Sequence, residues 1–343
     1  MGVQRLVFLL VVMGATAALA AGSAKPSTGA ADVSASRMPM LSLGGADAID
    51  AMHWAEAVFT ASTRESVDVS VSTSYPAGEP IGQHWADFFA LLPHGAELAR
   101  LKVYVAPLGQ VQEICGGSAV GCYGDDRLVV TNESALGFAP EEIARHEYGH
   151  HVALNRSNAP WPAFDWGPKH WATAADVCRR AHSSTAYPGD ESLLYRLNPG
   201  EAFAEAYRVL VDTKLGATPT WPLVDASFYP DRAVLDAVEK DVLLPWSGPG
   251  VRVLHVRIPH GDRAWAQRLA TPLDGTFRVT LPRGLRAVVS VVGDDDRPLR
   301  RTDLFPRRPT PLDFEICGQR SVTVRVTAPT RRDLSFGLRV SVP

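Results

Sequence analysis

Residues 141–155 read EEIARHEYGHHVALN, and the run His146-Glu147-Tyr148-Gly149-His150 inside them governs how the rest of the chain is read. Pro140 suits the first position of a helix, where its missing N–H costs nothing, and Glu141 and Glu142 suit the positive end of the helix dipole. Ile143, Ala144, Glu147, His150 and Leu154 follow at helical spacing. On such a helix His146 and His150 stand one turn apart, and both imidazoles leave one face at a separation that suits two ligands of one zinc ion. Glu147 then lies beside the metal. A carboxylate there can take a proton from a water whose pKa the zinc lowers, which is hydrolytic chemistry. Coincidence or a decayed site is the alternative for a pattern this short, and the helix signals around it weigh against that.

Two histidines do not complete a catalytic zinc site, which ordinarily has three protein ligands and a water. No Gly-x-x-His follows His150 at the spacing of H-E-x-x-H-x-x-G-x-x-H, which disfavours a third imidazole from the same segment. The candidate carboxylates lie in Asn198-Pro199-Gly200-Glu201-Ala202-Phe203-Ala204-Glu205-Ala206-Tyr207. Asn198 can cap a helix, Pro199 suits its first turn, and Glu201 and Glu205 share one face. Glu201 also stands at capping-box spacing from Asn198, so satisfying its own helix end is the plain alternative. From the residues alone, either acid can be the third ligand.

Taken together, H-E-x-x-H and, several dozen residues later, N-x-x-E-x-F-A-E resemble the gluzincin zinc peptidases. The likeness is closer to the lethal-factor-like secreted metallopeptidases than to thermolysin, and it covers residues 141–155 and 198–207. It implies a zincin-like catalytic domain with a mixed sheet and active-site helices, and Zn²⁺ held by His146, His150 and Glu201. Glu147 is then the general base, and Glu205 supports a ligand histidine from behind, with Asn198 in the same supporting layer. The resembling pattern also has a Tyr several residues before the ligand Glu, which donates to the oxyanion of the tetrahedral intermediate. Tyr195 stands within one residue of that spacing, with Tyr187 as the fallback. The gap between His150 and Glu201 is longer than thermolysin's, which puts the intervening segment beside the cleft.

A chain of 343 residues, 46% hydrophobic and 21% charged, is globular and has room for one large or two ordinary domains. A formal net charge of −3 gives no global pull toward nucleic acid or an anionic membrane. The charge is unevenly spread: residues 250–343 hold 17 Arg, no Lys and 9 acidic residues, so that stretch carries +8 and the rest −11. Two parts of opposite surface charge account for this better than an anion-binding role. Arg5, the apolar run Leu6 to Met13 and the small residues through Ala18-Leu19-Ala20 read as a signal peptide over 1–20, too short for a spanning helix. A secreted or periplasmic location follows as the expectation, with no transmembrane segment after its removal. Residues 21–45, rich in Ala, Ser and Gly, read as a flexible leader or pro-segment. Four cysteines suit an oxidising compartment. Cys115 and Cys122 flank a Gly-rich turn and are expected to pair; Cys178 and Cys317 are left to pair with each other or stay free.

Residues 46–247 are expected to be mixed α and β. A helix is read over 46–61 from Ile49, Met52, Ala55 and Val58, strands over 67–72, 101–105 and 127–131, and a short helix around Trp85, Phe88, Phe89 and Leu92. The Gly-rich cysteine loop falls between the second and third strands. The third strand is read either as one that pairs with an extended peptide along a cleft or as an ordinary edge strand. Ala159 to Trp171 holds Pro160, Trp161, Pro162, Phe164, Trp166 and Pro168, a stiff loop that walls a pocket or caps the core. Trp171 to His182 reads as a helix. From Gly248, alternating stretches at 251–256, 277–281, 287–292, 322–326 and 338–342 predict a small β-sandwich over 248–343. The expectation as a whole is an α+β, zinc-dependent peptidase acting on a peptide or protein substrate. Its rivals are a secreted zinc-binding or interaction protein without catalysis, and a zinc hydrolase of non-peptide amides that would use the same residues.

Overall fold

A computed structural model describes residues 46–343 apart from 118, 136, 219, 220, 222, 285, 286, 294–297, 302–310 and 329–332. The signal peptide and leader expected over 1–45 lie outside the described residues. The helices are α1 (Ala46–Ala51), α2 (Ile81–Leu91), α3 (Leu108–Cys115), α4 (Pro140–Leu154), α5 (Ala163–Trp166), α6 (Lys169–Ala174), α7 (Val177–His182), α8 (Pro199–Lys214) and α9 (Arg232–Leu243). Strands β1 (Trp54–Thr60), β2 (Ser66–Ser72), β3 (Lys102–Val105), β4 (Gly121–Gly124) and β5 (Arg127–Val130) form one mixed sheet in the order β1-β2-β3-β5-β4. The β2-β3 and β3-β5 pairs are parallel, while β1 and β4 join antiparallel at the two edges. Val67, Val69, Val103, Val105, Leu128 and Val130 bury against Trp85 and Phe89 of α2, Tyr148 and Val152 of α4, and Phe203 and Tyr207 of α8. Each large apolar side chain removed from water in this way contributes roughly 1.5–3 kcal/mol. The motif helix is therefore part of the core, and its position is fixed by packing on three sides.

Three expectations for this half are corrected. The helix read over 46–61 ends at Ala51, and residues 54–60 are strand β1, paired along its whole length with β2. Helical spacing of Ala55 and Val58 lost to a ladder of backbone hydrogen bonds, and Val58 is left exposed on the edge strand. The segment between the second and third expected strands is more than a loop, because it contains α3 and the edge strand β4. That makes β5 an interior strand. Trp171 to His182 is two helices, broken where Asp176 takes a left-handed conformation at φ 59°. The stiff aromatic segment divides its work: Trp171 is fully buried against Phe203, whereas Phe164 packs against His150.

Strands β6 (Gly250–Ile258), β7 (Ala264–Ala270), β8 (Gly275–Thr280), β9 (Val288–Val292), β10 (Pro298–Arg301), β11 (Leu312–Ile316), β12 (Ser321–Thr327) and β13 (Leu334–Val342) form two antiparallel four-stranded sheets, ordered β10-β9-β12-β7 and β11-β8-β13-β6. Their inward residues, among them Phe277, Val279, Val289, Val291, Val324 and Val340, share one core, a sandwich arrangement. Lys169 joins this part to the helices. Its wholly buried ammonium donates to the carbonyls of Ala159 (2.6 Å) and Asp274 (2.8 Å) and lies 4.5 Å from the Trp246 ring centre. The Asp274 carboxylate takes Arg320 at 2.6 Å, and the Asp274 N–H donates to Thr173. Disulfides join Cys115 to Cys122, as expected from their place around the Gly-rich turn, and Cys178 to Cys317, which the sequence left either paired or free. Among the described residues no helix is long and apolar enough to cross a membrane.

Candidate metal centre

The site is built where α4 crosses α8, and a glycine sets how close they come. A Cβ at Gly149 would fall 2.6 Å from the Cα and 2.9 Å from the carbonyl oxygen of Ala204. Backbone cannot give way as a side-chain tip can, so the small residues on both helices permit the approach. His146 and His150 then face Glu201 and Glu205 across the contact. Tyr148 and Val152, on other faces of α4, hold it in the core.

Helix α8 starts as its sequence suggests. The Asn198 Oδ1 accepts from the Gly200 N–H at 3.0 Å and from Gly189 at 3.2 Å, while its Nδ2 donates to Glu191 at 2.7 Å. These bonds make Asn198 a helix cap that also fixes the preceding loop. They do not run to the histidines, so the supporting role expected of Asn198 is indirect. Glu201 does not turn back to its own helix end. Its Oε2 lies 3.2 Å from His146 Nε2 and accepts from the Tyr195 hydroxyl at 2.6 Å, and its Oε1 lies 3.4 Å from His150 Nε2. One donor atom from each of His146, His150 and Glu201 falls within 4.8 Å of the others, and all three residues are buried. Three buried N and O donors converging at that distance are a fit donor set for a divalent ion.

Glu205 stands behind this set. Its Oε2 is 3.1 Å from His146 Nδ1, and Arg208 clasps it with two bonds of 3.0 and 2.7 Å while also reaching Asp212 at 2.7 Å. Asp212 in turn meets Arg145 at 3.1 Å. His146 is thus oriented by a chain of charges running along α8. His150 has a different support: its ring centre lies 5.6 Å from that of Phe164, and its Nδ1 is buried without a hydrogen-bond partner among the described residues.

The electrostatics of the cluster favour a cation. Burial works against the charged form of both histidines, yet hydrogen bonds to Glu201 and Glu205 raise His146, and the charge of Glu201 raises His150. Burial likewise pushes Glu201 up, but His150 and His146 outweigh it and hold Glu201 well below the usual carboxylate range. The carboxylates thus hold positive charge on the imidazoles, and a divalent ion can supply it in place of protons. Glu147 is raised by burial, an effect only partly opposed by the two histidines. It lines a cavity of about 330 Å³ together with Val120, Gly121, Phe138, Ile143, His146, Tyr195, Arg208 and Leu223. Burial, reinforced by the charges of Glu201, Glu147 and Glu191, keeps Tyr195 a hydroxyl at any working pH. Tyr187, the fallback donor, bonds the Ser184 carbonyl instead and does not line this cavity.

Arg208, Val120 and the first β4 residue, Gly121, are site components that reading the sequence did not single out. Arg208 had a signal, standing three residues after Glu205 on one helical face. Gly121 had none, because its place depends on β4 lying over α4, where a Cβ would come within 2.6 Å of Ile143. His151, adjacent to the motif, is structural: Tyr123 meets its Nδ1 at 3.0 Å and its Nε2 meets the Glu97 carbonyl at 2.9 Å.

No protein-family model matches the sequence, and no curated protein is similar to it. Among solved structures the chain is similar to the Yersinia pseudotuberculosis-derived mitogen at 12% identity, over 28% of this chain and 87% of that one, with a TM-score of 0.23. A likeness at that score carries no argument about either fold or function.

Proposed function

We infer that the chain is an exported, zinc-dependent peptidase with a zincin-like catalytic part. The observation that carries the reading is the convergence of His146, His150 and Glu201 within 4.8 Å beside a cavity that Glu147 and Tyr195 also line. His146, His150 and Glu201 would hold the ion, and Zn²⁺ suits two imidazoles and a carboxylate. A bound zinc ion supplies Lewis acidity, making water acidic enough to attack near neutral pH. Glu147 takes the proton from the attacking water and passes it to the leaving amine, a shuttle helped by its raised proton affinity. Tyr195 donates its hydroxyl to the oxyanion that develops on the scissile carbonyl. Glu205, clasped by Arg208, keeps His146 in the orientation that ligation needs.

The edge strand supports a peptide over a small amide as substrate. Strand β4 is last in the sheet and borders the same cavity through Gly121, so an extended chain can add to it main chain to main chain. The sequence left the third expected strand, β5, either a peptide-pairing strand or an ordinary edge; β5 is paired on both sides, so in this proposal the pairing edge is β4. A purely structural metal site would have no use for Glu147 at the cavity. Two disulfides accord with maturation in an oxidising compartment and hence with export.

The test is hydrolysis of a casein-type substrate by zinc-loaded protein and by Glu147→Gln, with bound zinc quantified in both. Equal zinc with activity reduced by about 10²–10⁴ in the variant is expected for loss of a general base. Equal activity in the two proteins removes Glu147 from the mechanism, and a zinc-loaded wild type inert toward peptides removes the peptidase reading.

A further inference from the structure

A second group of metal-binding side chains lies at the seam between α7 and the end of β11, and none of its members lines the cavity described above. Cys178 and His182 are four residues apart on α7 and leave one helical face, while Glu315 stands on β11 and Cys317 just past its end. One donor atom from each of the four falls within 4.8 Å of the others. The bond between Cys178 and Cys317 holds the two segments together.

The detailed geometry goes further than proximity. The His182 Nδ1 donates to the Cys178 carbonyl at 2.8 Å, which fixes the ring and leaves Nε2 facing Glu315 Oε1 at 3.1 Å. A neutral Nε2 and a carboxylate oxygen are both acceptors, so a cation belongs between them, either a proton or a metal. Orienting a histidine through a backbone carbonyl is also how ligand imidazoles are set in metal sites. Glu315 Oε1 stands 3.5 Å from Cys178 Sγ, and Cys317 Sγ lies 3.6 Å from the Nδ1 side of the ring. A zinc tetrahedron with ordinary bond lengths has edges of about 3.3 Å from nitrogen to oxygen and about 3.5 Å from sulfur to oxygen. The Nε2-to-Oε1 and Cys178 Sγ-to-Oε1 spacings already match those edges, while the two bonded sulfurs must part.

We propose that reduction of the Cys178–Cys317 disulfide opens a metal site in which the two thiolates, His182 and Glu315 bind one zinc-type divalent ion. The reductant is a dithiol: two electrons and two protons pass from it to the protein, its own sulfurs close into a disulfide, and two protein thiols form. Binding of the ion then releases the two thiol protons. His182 and Glu315 are exposed and Cys317 is half-buried, so an ion can reach the group and a reductant can attack at the Cys317 sulfur, Cys178 being buried. The result is a clasp with two states, covalent when oxidised and metal-held when reduced, that ties α7 to the second half of the chain across 139 residues in either condition.

Cobalt is the probe, because thiolate ligation gives it a charge-transfer band that a site of two imidazoles and a carboxylate lacks. The full chain carrying Cys115→Ser and Cys122→Ser, which removes the other two thiols, is titrated with Co²⁺ before and after reduction by a phosphine. The oxidised protein is expected to show no thiolate band, and the reduced protein one band that saturates at one additional equivalent. In His182→Ala and in Glu315→Gln, both exposed positions, the affinity read from the band should fall at least about tenfold. Absence of the band in reduced protein overturns the proposal, as does unchanged affinity in either variant. The first metal centre can fail its own test without affecting this one, since its ligands give no such band.

Discussion

At the scale of single residues, the centre depends on groups that are held from behind. Tyr195 reaches Glu201 at 2.6 Å and lines the cavity, so its hydroxyl is available to a reacting carbonyl only if it can swing from the carboxylate. Tyr195→Phe is expected to lower kcat by about 10²–10³ with little change in KM, since the donor acts chiefly on the transition state. Steady-state kinetics on a peptide substrate checks this, and a change confined to KM would place Tyr195 in substrate binding instead. Glu205 makes a separable contribution. Because it orients His146 through Nδ1 while Arg208 pins it, Glu205→Gln should weaken metal binding by about 10–100-fold, measured by competition with a chelator.

At the scale of elements, the α4–α8 crossing is the feature on which the centre rests. Gly149→Ala brings two opposing effects. Alanine favours a helix interior over glycine by about 1 kcal/mol. A Cβ at 2.6 Å from the Ala204 backbone forces the helices apart, an overpacking cost of about 1–3 kcal/mol. The second effect is expected to win, because the obstructing atoms belong to a helix backbone in a packed core. Urea denaturation should show a lower midpoint with an unchanged slope, and metal affinity should fall with it, since separating the helices separates His146 and His150 from Glu201. A variant as stable as wild type would mean that the crossing can relax without cost.

At the scale of the whole molecule, the helical part and the sandwich meet through buried polar groups. Lys169 is the telling one. Desolvation lowers its pKa from the ordinary 10.5 to about 8, against the pull of Asp274 and Asp241. Between those values the unfolded chain binds a proton that the folded chain does not, so this residue makes folding stability rise with pH from about 8 to about 10.5. Conversely, its contribution is lost as pH falls toward 8. Lys169→Met should flatten that part of the stability profile relative to wild type, as read by denaturation at pH 8 and pH 10. It should also lower stability near neutrality, by leaving the Ala159 and Asp274 carbonyls without their donor.

Much of this protein was legible in the order of its residues. The 3.6-residue period and Pro140 placed His146, Glu147 and His150 on a helix, Asn198 and Pro199 started α8, and strict alternation found β2, β8 and β12. Such signals are local, because side-chain direction and capping are decided within a few residues. What needed the tertiary structure were pairings between distant segments. Residues 54–60 became a strand only because β2 lay beside them, and β4 became the edge only because β5 paired on both sides. The carboxylate among the converging donors was likewise open in the sequence, since Glu201 and Glu205 share one helical face. The depth at which α8 packs on α4 set Glu201 against both imidazoles and left Glu205 behind His146. Periodicity fixes the face a residue occupies, but the height at which two faces meet is set by packing across the contact.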